Sequence, residues 1–121
     1  MTPFTRRLPD VKGMKVMIGM PIGRVIEPET HFSMLKTCYA CYEKGVVVRH
    51  SMIKGSSIVE CARSRVCEEF LQSDMQHLFM IDSDQTWEPE SFLKILALNK
   101  ELPVVGGIYP VKRDPPVFYV D

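Results

Sequence analysis

The sequence predicts an α/β domain with a mostly parallel sheet and flanking helices. Apolar runs typical of strands alternate with segments of helical periodicity, Pro and Gly residues separate them, and this alternation continues through most of the chain. A parallel sheet is usually covered by helices on both faces, and such alternation supplies them. At 121 residues the chain has the size of one domain with a single core, so we expect residues 1–121 to form one unit.

The first strand and the first helix have clear boundary signals. The strand is predicted at Met14–Met20 and is expected to stop at Pro21. Pro28 suits the first turn of a helix, and Lys44 with Gly45 is typical of its end. The large apolar residues of this helix recur at three- and four-residue steps, which predicts that they face the core: Phe32, Leu35, Tyr39 and Tyr42.

The second strand and helix follow the same pattern. A β-branched strand begins at Val46 and is broken after Lys54 by Gly55. The segment Ser57–Glu60 fits a capping box at the start of the next helix. The residues expected on the buried face of that helix are Val59, Ala62, Val66 and Phe70.

The last third of the chain adds two more strands and a helix. The apolar run Leu78–Ile81 is typical of a strand buried on both faces. Pro89 opens a third helix, with Phe92, Ile95 and Leu96 on one face. Pro103–Tyr109 is predicted as a fourth strand, and the Pro-rich tail from Pro110 as extended or irregular chain.

Composition limits the possible classes of function. Lys plus Arg and Asp plus Glu balance at 15 each, so the net charge of zero gives no general attraction to nucleic acid or anionic membranes. No apolar run approaches the length of a membrane span, and the N-terminal residues lack the apolar core of a signal peptide, so we expect a cytoplasmic protein. The cysteines are expected to be reduced, because no second closely spaced Cys or His pair completes a zinc site: Cys38, Cys41, Cys61 and Cys67. The histidines, His31, His50 and His77, lack metal-ligand spacing.

Two carboxylates stand immediately after the third strand, at Asp82 and Asp84. Ligands of parallel sheets bind at the carboxyl ends of the strands, and in a locally extended chain residues i and i+2 point to the same side. Carboxylates suit hard cations, so Mg²⁺ or Mn²⁺ is the expected metal. An Asp after a strand can also simply cap a turn or a helix. Two neighbouring carboxylates repel each other, however, and this favours a cation or a basic partner beside them.

Four segments together resemble the nucleotide-diphospho-sugar glycosyltransferases of the A-type fold. In order, these segments are Ala62–Ser64, Phe79–Asp84, Trp87–Glu90 and Val105–Lys112. The resemblance implies that Asp84 binds the metal directly and that Asp82 contacts the ribose or the metal shell. It also implies that the metal neutralises the diphosphate leaving group of a UDP- or GDP-linked sugar.

The resemblance further implies a nucleotide-binding surface around the same loop. It places Pro21 and Gly23 along the nucleotide, together with Asp82 and Ser83. Arg63 would reach the base or the phosphates, because a guanidinium presents several hydrogen-bond donors, although it could equally be an ordinary solvated helix residue. Gly106 and Gly107 would leave room for the sugar, or mark a bulge without a ligand. The acceptor and the catalytic residues are not indicated.

Two other functions fit the same residues. A nucleotide-binding module without catalytic activity would share every feature described so far. The segment Asp82–Thr86 also resembles the first motif of haloacid-dehalogenase-type phosphatases, in which the first Asp attacks phosphate. That family places the motif on its first strand and adds a later Lys and acidic cluster, for which this chain offers only Lys112, Asp114 and Asp121.

Enzymes of the A-type fold continue for a comparable length beyond the segments that match here. We therefore expect this chain to represent the nucleotide-binding part, as a short form or a fragment. A sheet without its second half would expose an edge, for which Val104–Tyr109 is the predicted strand, and would favour a homo-oligomer.

Overall fold

The structure is a computed structural model that describes residues 10–55 and 58–106 and the backbone of strands 108–111 and 117–120. It is an α/β fold with a three-stranded parallel sheet in the order β2-β1-β3. Its strands are β1 (Lys15–Ile22), β2 (Val47–Lys54) and β3 (His77–Met80), and its helices are α1 (Pro28–Lys44), α2 (Val59–Gln72) and α3 (Pro89–Leu98). A separate antiparallel pair joins β4 (Ile108–Val111) to β5 (Val117–Val120).

The central strand β1 is buried on both faces. Its residues alternate between two clusters: Val16, Ile18 and Met20 pack with α1 and α3, while Gly19 lies against α2. A Cβ atom at Gly19 would lie 2.3 Å from Cγ1 of Val66, so only glycine allows α2 to approach this closely. The sheet is therefore covered by α1 and α3 on one face and by α2 on the other.

Strand β1 continues through Pro21, where the sequence predicted its end. In a parallel sheet, alternate residues direct their N–H and C=O groups to alternate neighbours. The Gly19 carbonyl accepts a hydrogen bond from Ile81 on the β3 side, so Pro21 also faces that side. Strand β3 has already ended at Met80, so the N–H that Pro21 lacks removes no hydrogen bond from the sheet.

The predicted bounds of α1 are confirmed, but its predicted buried face is wrong. Pro28 begins the helix, and Gly45 ends it with φ of 75° and an N–H bonded to the Tyr42 carbonyl. The buried residues are largely small and polar: Thr30, Ser33, Met34, Thr37 and Cys41. The four large apolar residues expected in the core are all exposed: Phe32, Leu35, Tyr39 and Tyr42.

Two strands also differ from their predictions. All four residues of β3 are half-buried rather than buried on both faces, because β3 lies at an edge of the sheet. The predicted fourth strand is shifted: residues 104–106 are not in a strand, and β4 pairs with β5 instead of joining the parallel sheet. The tail beyond Pro110 thus contains a strand where irregular chain was expected, and its Val117–Val120 run has the β-branched and aromatic residues typical of one.

The remaining helices agree better with their patterns. Phe92 and Leu96 of α3 are buried, as are Ala62 and Val66 of α2, whereas Val59 is exposed. The proposed capping box includes Ser57, which lies outside the described residues, and helix α2 has Ile58 at its N-cap. None of the described helices is long and apolar enough to cross a membrane.

Candidate functional site

The candidate site lies at the carboxyl-end edge of the sheet, where β1 and β3 end side by side. The Ile81 N–H donates to the Gly19 carbonyl at 2.9 Å, which keeps the chain beside β1 for one residue beyond β3. The Glu27 N–H, at the start of α1, donates to the Ser83 carbonyl at 3.0 Å. The loop after β1 and the Asp82 loop therefore share one edge of the sheet, at the carboxyl ends of the strands, where ligands of parallel sheets are expected.

Arg63 and Asp82 form an ion pair at this edge, with 3.2 Å between Nη2 and Oδ1. Both side chains are about half exposed, at 49% and 45%. Exposed pairs of this kind contribute about 0–1 kcal/mol to stability, so Asp82 can exchange its partner at little cost. The structure thus brings together two of the predicted nucleotide-binding residues, which are 19 positions apart in the sequence.

The segment after Asp82 turns instead of running extended. The Gln85 N–H donates to the Asp82 carbonyl at 3.3 Å, which closes a four-residue turn through Ser83 and Asp84. The expectation that an extended chain would direct Asp82 and Asp84 to one side was therefore wrong in its geometry. Asp84 is exposed and Ser83 is half-buried.

Trp87 anchors the far end of this loop on α1. Its indole Nε1–H donates to Oγ1 of Thr37 at 2.7 Å, and its backbone N–H donates to Oγ of Ser33 at 3.2 Å. Its ring also lies 6.1 Å from that of Phe79, which in turn contacts Phe92 edge-on at 4.7 Å. These anchors were missed from the sequence. The available signal in the sequence was that Thr30, Ser33 and Thr37 recur at steps of three and four residues, which places them on one face of α1.

A cleft of about 830 Å³ runs along the outer side of β3. Its polar lining includes Arg63, Asp82, Gln85 and Thr86. Apolar side chains line the rest, among them Phe70, Phe79 and Val105. Gly106 also lines the cleft, whereas Gly107 lies outside the described residues. Binding pockets for small molecules measure about 300–1,000 Å³, so a nucleotide-sized ligand fits this volume.

The cleft lining does not include four other predicted site residues: Pro21, Gly23, Ser83 and Asp84. Pro21 is buried in β1, and Gly23 follows that strand in an exposed loop. Within the ranges that the structure describes, no group of three or more His, Cys, Asp or Glu side chains is arranged to hold a metal. Lys112, Asp114 and Asp121, considered for the phosphatase alternative, lie outside those ranges.

A second titratable pair lies on the other side of the molecule, between α1 and β2. The Cys38 thiol is 3.4 Å from Nε2 of His50. Burial raises the pKa of Cys38 and lowers the pKa of His50. Burial also raises the pKa of Cys41 to about 12. These shifts favour neutral thiol and imidazole, which is the opposite of an activated thiolate–imidazolium pair.

Comparison with models of known protein families, with curated proteins and with solved structures found no match to this chain.

Proposed function

We propose that the cleft beside β3 binds a nucleotide-diphospho-sugar together with a divalent cation. The observation that carries this proposal is the Arg63–Asp82 ion pair, which lies at the carboxyl end of β3 and lines the nucleotide-sized cleft beside that strand. The carboxyl ends of the strands are the usual ligand sites of parallel α/β sheets. The resemblance to glycosyltransferases of the A-type fold suggests the sugar nucleotide as the ligand and glycosyl transfer as its reaction.

The residues at the cleft suit a cation shared with a diphosphate better than a cation held by protein alone. Mg²⁺ is commonly bound by one or two carboxylates, with substrate phosphates and water completing its shell. Asp82 lines the cleft and offers one carboxylate, Asp84 follows it in the exposed part of the same turn, and Arg63 offers a guanidinium to the phosphate oxygens. When bound, the cation would neutralise charge on the diphosphate as it leaves. Asp82 would then exchange Arg63 for the cation, and Arg63 would turn to the phosphates.

Calorimetric titration with UDP and GDP tests this proposal. We expect binding with Mn²⁺ present and much weaker binding with EDTA. Asp82→Asn keeps the shape of the side chain and removes its charge, so it should abolish the manganese-dependent part of the affinity. Asp74→Asn is the matched control, because Asp74 pairs with Lys15 and Arg49 and is not part of the cleft lining. Equal affinity with Mn²⁺ and EDTA would contradict the metal role, and no binding in either condition would contradict the whole proposal.

A second assay separates transfer from binding and from phosphatase activity. The chain is incubated with a panel of radiolabelled nucleotide-sugars and scored for transfer, hydrolysis or binding only. Transfer to an added acceptor supports a glycosyltransferase, whereas binding without turnover supports the nucleotide-binding module. Release of phosphate from a simple phosphate monoester, with Asp82→Asn inactive, would favour the dehalogenase-type reaction instead.

A further inference from the structure

The outer face of α1 carries a row of large apolar side chains that the fold leaves exposed. Phe32, Leu35, Tyr39 and Tyr42 have 58%, 53%, 66% and 84% of their surface exposed. Single exposed apolar residues are ordinary, but a continuous row on one helix face is typical of an interaction surface. We call these four residues the α1 stripe.

The α1 stripe cannot turn inward without breaking contacts that α1 already makes. The inner face of α1 holds Trp87 through Ser33 and Thr37 and places Met34 and Cys41 in the core. Rotating the helix would leave the half-buried indole N–H of Trp87 without its acceptor, and a donor shielded from water without a partner destabilises the fold. The stripe is therefore held outward by the same bonds that fix the Asp82 loop.

The spacing of the α1 stripe specifies a helix as its partner. Steps of three, four and three residues are the a and d positions of a heptad, which form the seam between two packed helices. When two such helices pack antiparallel, Phe32 of one copy lies opposite Tyr42 of the other, and Leu35 lies opposite Tyr39. This arrangement is self-complementary about a twofold axis level with Thr37, as an isologous interface requires.

We propose that the α1 stripe is the contact surface between two copies of this chain, packed antiparallel. Aromatic side chains bury about 150–250 Å² each, so at the observed exposures the stripe offers roughly 500 Å² per copy and roughly 1,000 Å² in total. This area lies at the low end of specific interfaces, and we therefore expect a weak, reversible dimer. The dimer proposal does not rest on the nucleotide proposal, since no residue of the stripe lines the cleft.

Sedimentation velocity over the micromolar to hundred-micromolar range tests the proposal. The wild-type chain should pass from monomer to dimer with increasing concentration, and Tyr39→Glu should remain a monomer with an unchanged circular dichroism spectrum. Leu71→Glu is the matched control, because Leu71 is 80% exposed on α2 and away from the stripe; it should dimerise like wild type. A wild-type chain that stays monomeric throughout, or a Tyr39→Glu variant that dimerises normally, would overturn the proposal.

Disulfide trapping tests the antiparallel arrangement separately. Lys36 lies beside the stripe and one residue from the level of the twofold axis, so the two copies of residue 36 are about 3 Å apart along the helix direction. In a Cys38→Ser, Cys61→Ser, Cys67→Ser background, Lys36→Cys should form a disulfide-linked dimer under mild oxidation, because the native Cys38 lies equally near the level of the twofold axis and must be removed. Lys44→Cys is the control and should not, because its two copies are separated by about 21 Å along the same direction. Equal trapping at both positions, or trapping at residue 44 alone, would contradict the antiparallel arrangement.

Discussion

Replacing Gly19 by Ala tests whether the close approach of α2 to β1 fixes the candidate site. The new Cβ would lie 2.3 Å from Cγ1 of Val66, whereas ordinary contact begins at 3.4 Å. The helix or the Val66 side chain must therefore move by about an ångström, and overpacking of this kind costs about 1–3 kcal/mol. That is a large share of the total stability of a small domain, which is about 5–15 kcal/mol.

The same displacement should weaken the site, because Arg63 lies one turn before Val66 on α2. A shift of α2 away from β1 would lengthen the 3.2 Å contact between Arg63 and Asp82. We therefore expect Gly19→Ala to lower the free energy of unfolding and, under the proposed function, the affinity for nucleotide, although residue 19 itself is not part of the cleft lining.

Urea denaturation followed by circular dichroism measures the stability effect. Gly23→Ala is the control, because a Cβ there would have no neighbour within 4 Å, and it should change the free energy of unfolding by less than about 0.5 kcal/mol. Shortening Val66 to Ala makes room for the new methyl group. The double variant should thus be more stable than the sum of the single changes by about 0.5–3 kcal/mol. A Gly19→Ala chain with the wild-type urea midpoint would refute the packing argument.

Two further predictions concern the titratable groups. Alkylation of the native chain at pH 8 should modify the exposed Cys61 and Cys67 first. It should reach Cys41 about a thousandfold more slowly than an ordinary thiol, because the pKa of Cys41 is raised from 9.0 to about 12. Mass spectrometry of peptides measures the labelling, and early labelling of Cys41 would contradict this prediction. Burial lowers the pKa of His50 from 6.5, so the unfolded chain binds this proton more readily, and the free energy of unfolding should fall as the pH decreases below 6.5. His50→Gln should remove that part of the loss in urea titrations at pH 7.5 and pH 5, and an identical loss in the variant would exclude His50 as its source.

Local signals predicted the boundaries of α1 but not its orientation. Pro28 and Gly45 act through their own backbone preferences, so sequence alone is enough to locate both ends. The buried face is decided instead by Trp87, whose bonds to Ser33 and Thr37 span 54 and 50 positions of sequence. Helical periodicity finds an apolar row equally well whether it faces the core or the solvent, and here it faces the solvent.

The burial of each strand was predicted from its apolar residues, although it depends on where the strand lies in the sheet. The apolar run ending at Ile81 predicts a strand buried on both faces, yet β1 occupies the centre of the sheet and β3 lies at its edge. The shared edge of Gly19 and Ile81 was predictable because parallel strands carry their carboxyl ends together. The Arg63–Asp82 contact was not, since nothing in the spacing of these two residues specifies which face of α2 turns toward the loop.

The orientation of α1, with its apolar stripe exposed and its hydroxyls on Trp87, links the candidate site to the proposed dimer. The loop from Phe79 to Trp87 is held at both ends, by the ladder of β3 and by the hydroxyls of Ser33 and Thr37, so the Asp82 turn has little freedom between them. Pairing of two α1 stripes would stabilise the one rotation of α1 that keeps both hydroxyls on Trp87. Any such stabilisation must act in both directions, because coupling between two binding equilibria is reciprocal. If dimer formation favours the conformation of the Asp82 loop that binds the proposed nucleotide, nucleotide must tighten the dimer by the same factor. Tyr39→Glu, which removes the dimer without altering the cleft lining, would then also weaken nucleotide binding at concentrations where the wild-type chain is dimeric.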